Sequence, residues 1–553
     1  MANPLLTDNQ PWIQHYDTHV PHSLDYPNAN LVEMFENAVA ENPDKRFILY
    51  NESTYSYKEI SQLVRNLSAR LIQSGLKKGD RVVLMLPNIP QFIVAYYAVL
   101  KAGGVVVALN PNYKLPEFEF LFRDSQPTKA FCLERHEKIL NGLNFPDAAC
   151  IFVRPGQLLH QNVKSRSTQS FGISDFEELC QTTLEFSGGL FPEVTPDEPA
   201  IFQYSGGTTG IPKAAIGSHG NIISNITQFN TWCNLQKGNE TILSVIPLYH
   251  VYGMVLTMNL AIATQSEIVL IEDPSDTEKV LHEIEDKRVT FYPGVPSMFY
   301  AINQHPKVRG GKFDIRSIKA CISGSAPLHP EIKAEFERLT GGKLVEGYGL
   351  SEAPTATHCN PVFGKNKHGS IGLPLPDVMC KVVDIEAGER EMPTGEPGEL
   401  AIKGPQVMAG YHNQPEEEKI ALREGWLYTG DVVRMDEEGY FYLLDRKKSL
   451  IKVSGFQVWP NEIEQVILSY PGVSACAVGG LPDRKQGEKV VAWVVKKPDT
   501  KISEETIKAW CRERLVNYKV PSEIQFRKQL PLSGVGKVLR RELIREYCEK
   551  KTS

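Results

Sequence analysis

Residues Thr241–Ser266 run without one formal charge and are long enough to cross a bilayer. This stretch constrains the fold more than any other. It either spans a membrane or lies at the centre of a large core. Pro247, His250, Tyr252, Gly253 and Asn259 interrupt it, and a lipid-facing span tolerates few such breaks and polar groups. The expectation is therefore a buried strand–loop–helix of an α/β protein. The rest of the chain has the matching rhythm. Arg81–Leu86 (RVVLML) reads as strand, Pro90–Leu100 as helix and Gly104–Leu109 (GVVVAL) as strand, the pattern of a largely parallel sheet covered by helices.

A chain of 553 residues exceeds one ordinary core, so several lobes are expected. Its character changes after Leu443. Asn461–Tyr470 reads as a helix, with Ile463, Val466 and Ile467 on one face. Val473–Val478 and Lys489–Val495 read as strands, and Ser503 as the N-cap of a helix reaching Leu515. We expect a large multi-lobed α/β body over 1–444, a hinge over 445–448 and a small mobile α+β lid over 449–553. Charge divides in the same way. From Arg446 onward there are 22 Lys/Arg and 12 Asp/Glu, a net +10, against −16 for the remainder. Such a basic segment is drawn to an acidic body or an anionic ligand. No basic run interleaved with aromatics points to nucleic acid.

Ser165–Gly172 is polar and reads as a surface loop. The ten cysteines include no CxxC pair, which fits a reducing compartment and neither a disulfide framework nor a zinc site. The start MANPLLTDNQPW lacks the regions of a secretory signal, and EKKTS is not an organelle address, so a cytoplasmic protein is expected.

The strongest chemical signal is YSGGTTGIPKAAIGSHGN, Tyr204–Asn221. An apolar run feeds a loop of Ser205, Gly206, Gly207, Thr208, Thr209 and Gly210, followed by Lys213. Glycines let backbone N–H groups turn toward an anion, threonine hydroxyls add donors, and the lysine adds charge. By composition this is a phosphate cradle. It is not a Walker A loop, because Lys213 lies between Pro212 and Ala214.

From this string onward the chain resembles the adenylate-forming superfamily of acyl-CoA synthetases, luciferases and peptide-synthetase adenylation domains. Further matches follow in order: IPLYHVYG (Ile246–Gly253), SGSAPL (Ser323–Leu328), EGYGLSE (Glu346–Glu352), GELAIKGPQVMAGY (Gly398–Tyr411), GWLYTGD (Gly425–Asp431), DRKKSLIKVSGFQVWPNEIE (Asp445–Glu464) and LPLSGVGKVLRREL (Leu530–Leu543). DYPNANLVEMFENAV and YSYKEI look most like bacterial medium- or long-chain fatty-acid–CoA ligases.

The residues suit that chemistry. A carboxylate is a poor electrophile and must be activated, which ATP does by giving an acyl-adenylate and pyrophosphate. Glu352, at the end of a Gly-rich turn, is the kind of hard oxygen ligand that suits Mg²⁺. The resemblance implies catalytic roles for Lys537, His250, Glu352 and Thr208. It places ATP or AMP on Ser205–Gly210, Lys213, Ser325, Ala326, Pro327, Glu346, Gly347, Tyr348, Gly349, Ser351, Asp431, Arg446 and Lys537. Within that set, Glu352 would hold Mg²⁺, Tyr348 would stack on adenine, and Asp431 with Arg446 would take the ribose hydroxyls. Ser351 stands where threonine is commoner and keeps the hydroxyl. Lys452, Ser454 and Gly455 would meet CoA, and Lys448 would be the hinge residue.

The expected reaction joins a carboxylic acid to CoA through an acyl-adenylate, with ATP and CoA as cosubstrates. Adenylation domains that take amino acids place an Asp shortly after the PLYH-like motif to pair with the ammonium; Val251–Leu260 has no acid, so the resemblance implies an apolar acid. Fatty acid is the first reading. An arylpropenoic (coumarate-like) acid is the second, and an acyl-AMP ligase that loads a carrier protein is a third. A luciferase-like oxygenase would share every motif, whereas a non-enzymatic nucleotide sensor would not need Lys537, Glu352 and His250. Peripheral membrane association and an oligomer are both compatible with the resemblance.

Overall fold

The computed structural model describes residues 10–146, 149–155, 174–181, 189, 191–205, 212–454, 456–483, 485–498, 500–532 and 538–552. The expected surface loop Ser165–Gly172 lies outside them, as do Gly206–Gly210, Gly455 and Lys537. Packing divides the chain into two units. One is Met1–Met379 with Lys403–Gly425, and the other is Cys380–Ile402 with Trp426–Ser553.

Two large sheets organise the first unit. Among the described residues one has nine strands, with Thr241–Ser244 flanked by Glu267–Leu270 and Phe291–Gly294 in a parallel centre. It continues through Ala320–Ser323 to Lys343–Leu350, which pairs antiparallel with Ala353–Cys359. The other has eight strands, with Arg81–Met85 between Val105–Ala108 and Lys129–Leu133. The expected strands and the helix Pro90–Lys101 are all present. That helix is buried on almost every side, so its sequence is apolar all round rather than on one stripe.

The uncharged stretch is resolved as expected. Thr241–Ser244 is a central strand, and after the His250 loop the chain turns helical from Val251 to Ala263, with Met254–Asn259 in π-type geometry. Its polar side chains satisfy the backbone and one another. Thr257 Oγ1 donates to the Gly253 carbonyl (2.6 Å) and lies 2.8 Å from Ser244 Oγ, while Asn259 Nδ2 donates to the Met254 carbonyl (3.0 Å). Gly253 is required, since a Cβ there would sit 2.4 Å from the Pro247 carbonyl oxygen. Among the described residues no helix is long and apolar enough to cross a membrane. None of the ten cysteines is joined in a disulfide.

Two buried histidines give this unit an acid-sensitive core. His219 is 1% exposed and accepts a hydrogen bond from the Leu31 N–H at Nδ1 (3.2 Å), which requires the neutral ring. Burial lowers the pKa of His219 to about 4 and that of His358 to about 3. Both lie below the ordinary 6.5, so the unfolded chain takes up these protons first. The stabilisation is complete above pH 6.5 and is lost as pH falls toward 4, with a slope of up to about 1.4 kcal/mol per pH unit for each ring. Urea unfolding between pH 7.5 and 4.5 should show that loss, and His219→Gln should reduce the slope. An equal slope in the variant would remove His219 from the account.

The second unit carries the change in character expected after Leu443. Strand Gly487–Lys496 is central, with Val473–Asp483 antiparallel on one side, and Ile451–Val453 and Glu523–Arg527 on the other. Helices Pro460–Leu468 and Glu504–Arg512 cover an apolar core that includes Ile463, Ile467, Val478, Val494 and Ile507. Ser503 caps its helix as expected, accepting from Thr506 N–H (3.2 Å), but the helix ends at Arg512 rather than Leu515.

The boundary expected at 444 falls inside this unit. Gly398–Lys403, Trp426–Met435 and Phe441–Arg446 form one antiparallel ladder. Its last strand is tied onward, because the Asn461 side chain donates to the Leu444 carbonyl (3.0 Å) and the Asn461 N–H to the Asp445 carboxylate (2.8 Å).

Candidate active site

In the first unit, strand Pro199–Ser205 runs beside Val105–Ala108 and returns as Lys213–Ser218, with Ser205 opposite Lys213. The Gly/Thr-rich segment thus joins two antiparallel strands instead of opening a helix. Helix His219–Cys233 begins only after the second strand. Ser351 and Glu352 form the tip of a second hairpin, between Leu350 and Ala353. A third segment, Gly410–Tyr411, pairs with Lys213–Ser218.

These three pieces meet at Glu352. Its Oε1 accepts from Ser205 Oγ (3.1 Å) and from Tyr411 Oη (2.9 Å), and its carbonyl accepts from Met408 N–H (2.8 Å). Among the described residues both hydroxyls fall on one oxygen, which leaves Oε2 as the oxygen without a protein donor. Lys213 is 7% exposed, ion-paired with Glu417, and 5.4 Å from the Tyr411 ring centre. Its charge therefore already has a carboxylate partner. Tyr411 and Glu417 were not among the expected site residues. Tyr411 does end the GELAIKGPQVMAGY string, but only the pairing of Gly410–Tyr411 with Lys213–Ser218 brings it to Glu352.

Gly347, Tyr348 and Gly349 lie on strand Lys343–Leu350, not in a turn, and the Tyr348 ring meets His358 edge-on at 5.8 Å. Gly349 leaves no room for a side chain, since a Cβ would lie 1.6 Å from the Thr355 carbonyl oxygen. Glu346 accepts weakly from Leu328 N–H (3.4 Å), and burial raises its pKa to about 8. Ser325, at φ 68°, leads with Ala326 and Pro327 into that same Leu328 N–H. His250 accepts from Tyr252 N–H at Nδ1 (3.2 Å), and burial lowers its pKa to about 4. A neutral ring that accepts at Nδ1 carries its proton on Nε2, where it is a donor.

In the second unit, Asp431 and Arg446 face each other across the ladder, joined at 3.1 Å from Nε to Oδ1. Asp431 is 3% exposed. The adjacent Glu399 accepts from Gly430 N–H (3.1 Å) and from Lys447 Nζ (2.7 Å), so one carboxylate braces both the Asp431 turn and the segment leading to Lys448. Lys448 is exposed in a short 3₁₀ turn, Lys447–Ser449. Lys452 is exposed on a short strand, and Ser454 has φ 51°. Leu532 and Val538 pair antiparallel, and Lys537 lies outside the described residues.

A carboxylate fixed beside a Gly/Thr-rich connection, and a buried Asp–Arg pair at a strand end, are the furniture of a nucleotide-handling α/β enzyme. The family model described as "AMP-binding enzyme" matches residues 35–412, and that described as "AMP-binding enzyme C-terminal domain" matches 462–537. The chain belongs to this adenylate-forming, AMP-binding enzyme family. It is 39% identical to a long-chain-fatty-acid–CoA ligase of Bacillus subtilis, over 98% of this chain and 99% of that one. It is 35% identical to the enzyme of the same name from Escherichia coli O6:H1, over 96% and 97%. The ATP-bound structure of MatB from Rhodopseudomonas palustris superposes with a TM-score of 0.83 at 28% identity, covering 94% of this chain and 99% of that one.

Proposed function

We propose that this enzyme ligates a medium- or long-chain fatty acid to CoA in two steps. The acid's carboxylate attacks the α-phosphorus of ATP, giving acyl-AMP and pyrophosphate. The CoA thiol then attacks the acyl carbon, releasing AMP and a proton. The observation that carries this reading is the Glu352 carboxylate, held by Ser205 and Tyr411 at the mouth of the Gly/Thr-rich segment. Its near full-length similarity to fatty-acid–CoA ligases supports the acid class.

Mg²⁺ fits Glu352. One oxygen accepts from two hydroxyls and the other has no protein donor among the described residues, where also no group of three or more ligating side chains could hold a metal unaided. Such a site suits a hard ion whose remaining ligands are phosphate oxygens and water, and when bound it would neutralise developing phosphate charge. Ser205–Gly210 and Ser351 supply donors to the phosphates. Neutral His250 offers its Nε2 proton to the attacking carboxylate or an α-phosphate oxygen. Tyr348 with Gly347 and Gly349 borders adenine, Ser325–Pro327 and Glu346 line that edge, and Asp431 with Arg446 takes the ribose hydroxyls. Lys537 acts in the first step. Lys452, Ser454 and Gly455 act in the second, after rotation about Lys448. The enzyme works in the cytoplasm.

Pyrophosphate release measured across fatty, aryl and amino acids, with and without CoA, tests this reading. Release should be greatest with fatty acids, and acyl-CoA should form only when CoA is present. Release without acyl-CoA would transfer the enzyme to carrier-protein loading, and a preference for aryl acids would overturn the substrate class.

A further inference from the structure

We infer that Asp124 is a positioning residue for Glu352: from the opposite face of the sheet it fastens the two strands whose hydroxyls hold that carboxylate. The inference rests on the ligase reading above and on its Mg²⁺ at Glu352.

Side chains alternate between the two faces of a strand. On Pro199–Ser205, Ser205 points to the Glu352 face, so Phe202 and Tyr204 point to the other. Helix Leu115–Ser125 covers that other face. Its Phe118, Leu121 and Phe122 share a core with Phe202, and Tyr204 packs against the same core. The neighbouring strand divides in the same way. Tyr411 reaches Glu352, while the next side chain, His412, packs its ring on Phe202 with centres 4.6 Å apart. Tyr204 and His412 are thus the chain neighbours of the two Glu352 donors, and both lie on the helix side.

Asp124, in the last turn of that helix, receives both. Its Oδ2 accepts from Tyr204 Oη (2.6 Å). Its carbonyl oxygen is one of those that a helix end leaves without a helical partner, and it accepts from His412 Nε2 (3.1 Å). A carbonyl can only accept, so this bond puts the His412 proton on Nε2. The His412 N–H meanwhile donates to the Ala214 carbonyl (3.0 Å), which holds the strand edge in register. Successive Cα atoms are about 3.8 Å apart across a planar peptide, so a shift at Tyr204 or His412 passes directly to Ser205 or Tyr411. One helical residue therefore sets the spacing of the two hydroxyls that meet on Glu352 Oε1. With it comes the direction of Oε2, the oxygen proposed to face Mg²⁺. Asp124 acts through Ser205 and Tyr411, not on substrate.

The test uses full-length enzyme and reads the ion directly. Tyr204→Phe removes one hydroxyl and keeps the ring in the core. Mn²⁺ binding with ATP, followed by spin resonance against an enzyme-free Mn²⁺–ATP control, should weaken about tenfold, the scale of one hydrogen bond to a charged group. The Mg²⁺ concentration for half-maximal pyrophosphate release should rise by the same factor, with the KM for fatty acid unchanged. Asp124→Ala should act alike, and the double variant should be no worse than the worse single one, because both changes cut one link. Asp124→Asn keeps a carbonyl acceptor for Tyr204 and should recover most of the ion affinity. A merely structural bond would lower the melting temperature and leave Mn²⁺ affinity at the wild-type value. That result, or Asp124→Asn as impaired as Asp124→Ala, overturns the inference. If Asp124→Ala does not fold, Tyr204→Phe decides alone. Wild-type enzyme that releases no pyrophosphate with any acid would refute the ligase reading instead, and the Mn²⁺ measurement would still decide the role of Asp124.

Discussion

Lys537→Ala is expected to release no measurable pyrophosphate from ATP and fatty acid, yet to turn supplied acyl-adenylate and CoA into acyl-CoA at close to the wild-type rate. The reason is charge. The attacking carboxylate and the α-phosphate are both anions, and a lysine that pairs with both removes their repulsion only while they meet. Loss of such a preorganised contact costs about 10³-fold in the step that uses it. In the second step the nucleophile is a thiol and the leaving group a phosphate, so a lysine reserved for the first step has no partner there. Gly455→Trp should give the reciprocal pattern, because on the CoA role proposed for Gly455 an indole would obstruct the approach of the thiol. That variant should still form acyl-AMP and pyrophosphate while acyl-CoA falls to background. Should both variants depress the two half-reactions equally and remain folded, a single static site would replace the alternating one.

Glu352→Gln should lower pyrophosphate formation about 10²-fold or more, with the deficit growing as Mg²⁺ is diluted. The amide keeps the volume, and its carbonyl still accepts from Ser205 and Tyr411. What it loses is the negative charge on the oxygen facing away from those hydroxyls. Mn²⁺ bound in the presence of ATP, measured by spin resonance, should fall in parallel, which separates loss of the ion from loss of fold. Asp431→Ala should cost a similar factor for another reason, since it removes the acceptor pair proposed for ribose and takes from Arg446 its cross-strand carboxylate. Its defect should appear mainly in the KM for ATP. A change of less than about threefold in both variants would remove these residues from the site.

Much of this molecule is legible from local pattern. The N-cap Ser503, the central strands and the buried helix Pro90–Lys101 lie where periodicity places them, because propensity, capping and burial agree within each segment. The uncharged stretch is also read correctly, since its polar side chains find partners inside the core, Thr257 with Ser244 and Asn259 with the Met254 carbonyl. Elements whose ends depend on neighbours are read less well. The helix after Ser503 stops three residues short of Leu515, and Gly347–Gly349, read as a turn from its glycines, is strand. Backbone pairing along a sheet overrides the turn preference of glycine.

The sequence by itself determined the inventory of residue types: a Gly/Thr-rich connection, the acids Glu352 and Asp431, Arg446, and lysines near the end of the chain. The motifs that carry them need only residue types in order, since each motif is contiguous. Only the tertiary structure decided which inventory members act on one another. Tyr411 reaches Glu352 because two short strands pair across some two hundred residues of chain, Lys213 meets Glu417 for the same reason, and Asp445 meets Arg540 through a helix terminus between them. A hydrogen bond or ion pair depends on a separation of about 3 Å in space. Spacing along the chain carries no record of that separation until sheet pairing has brought the strands together.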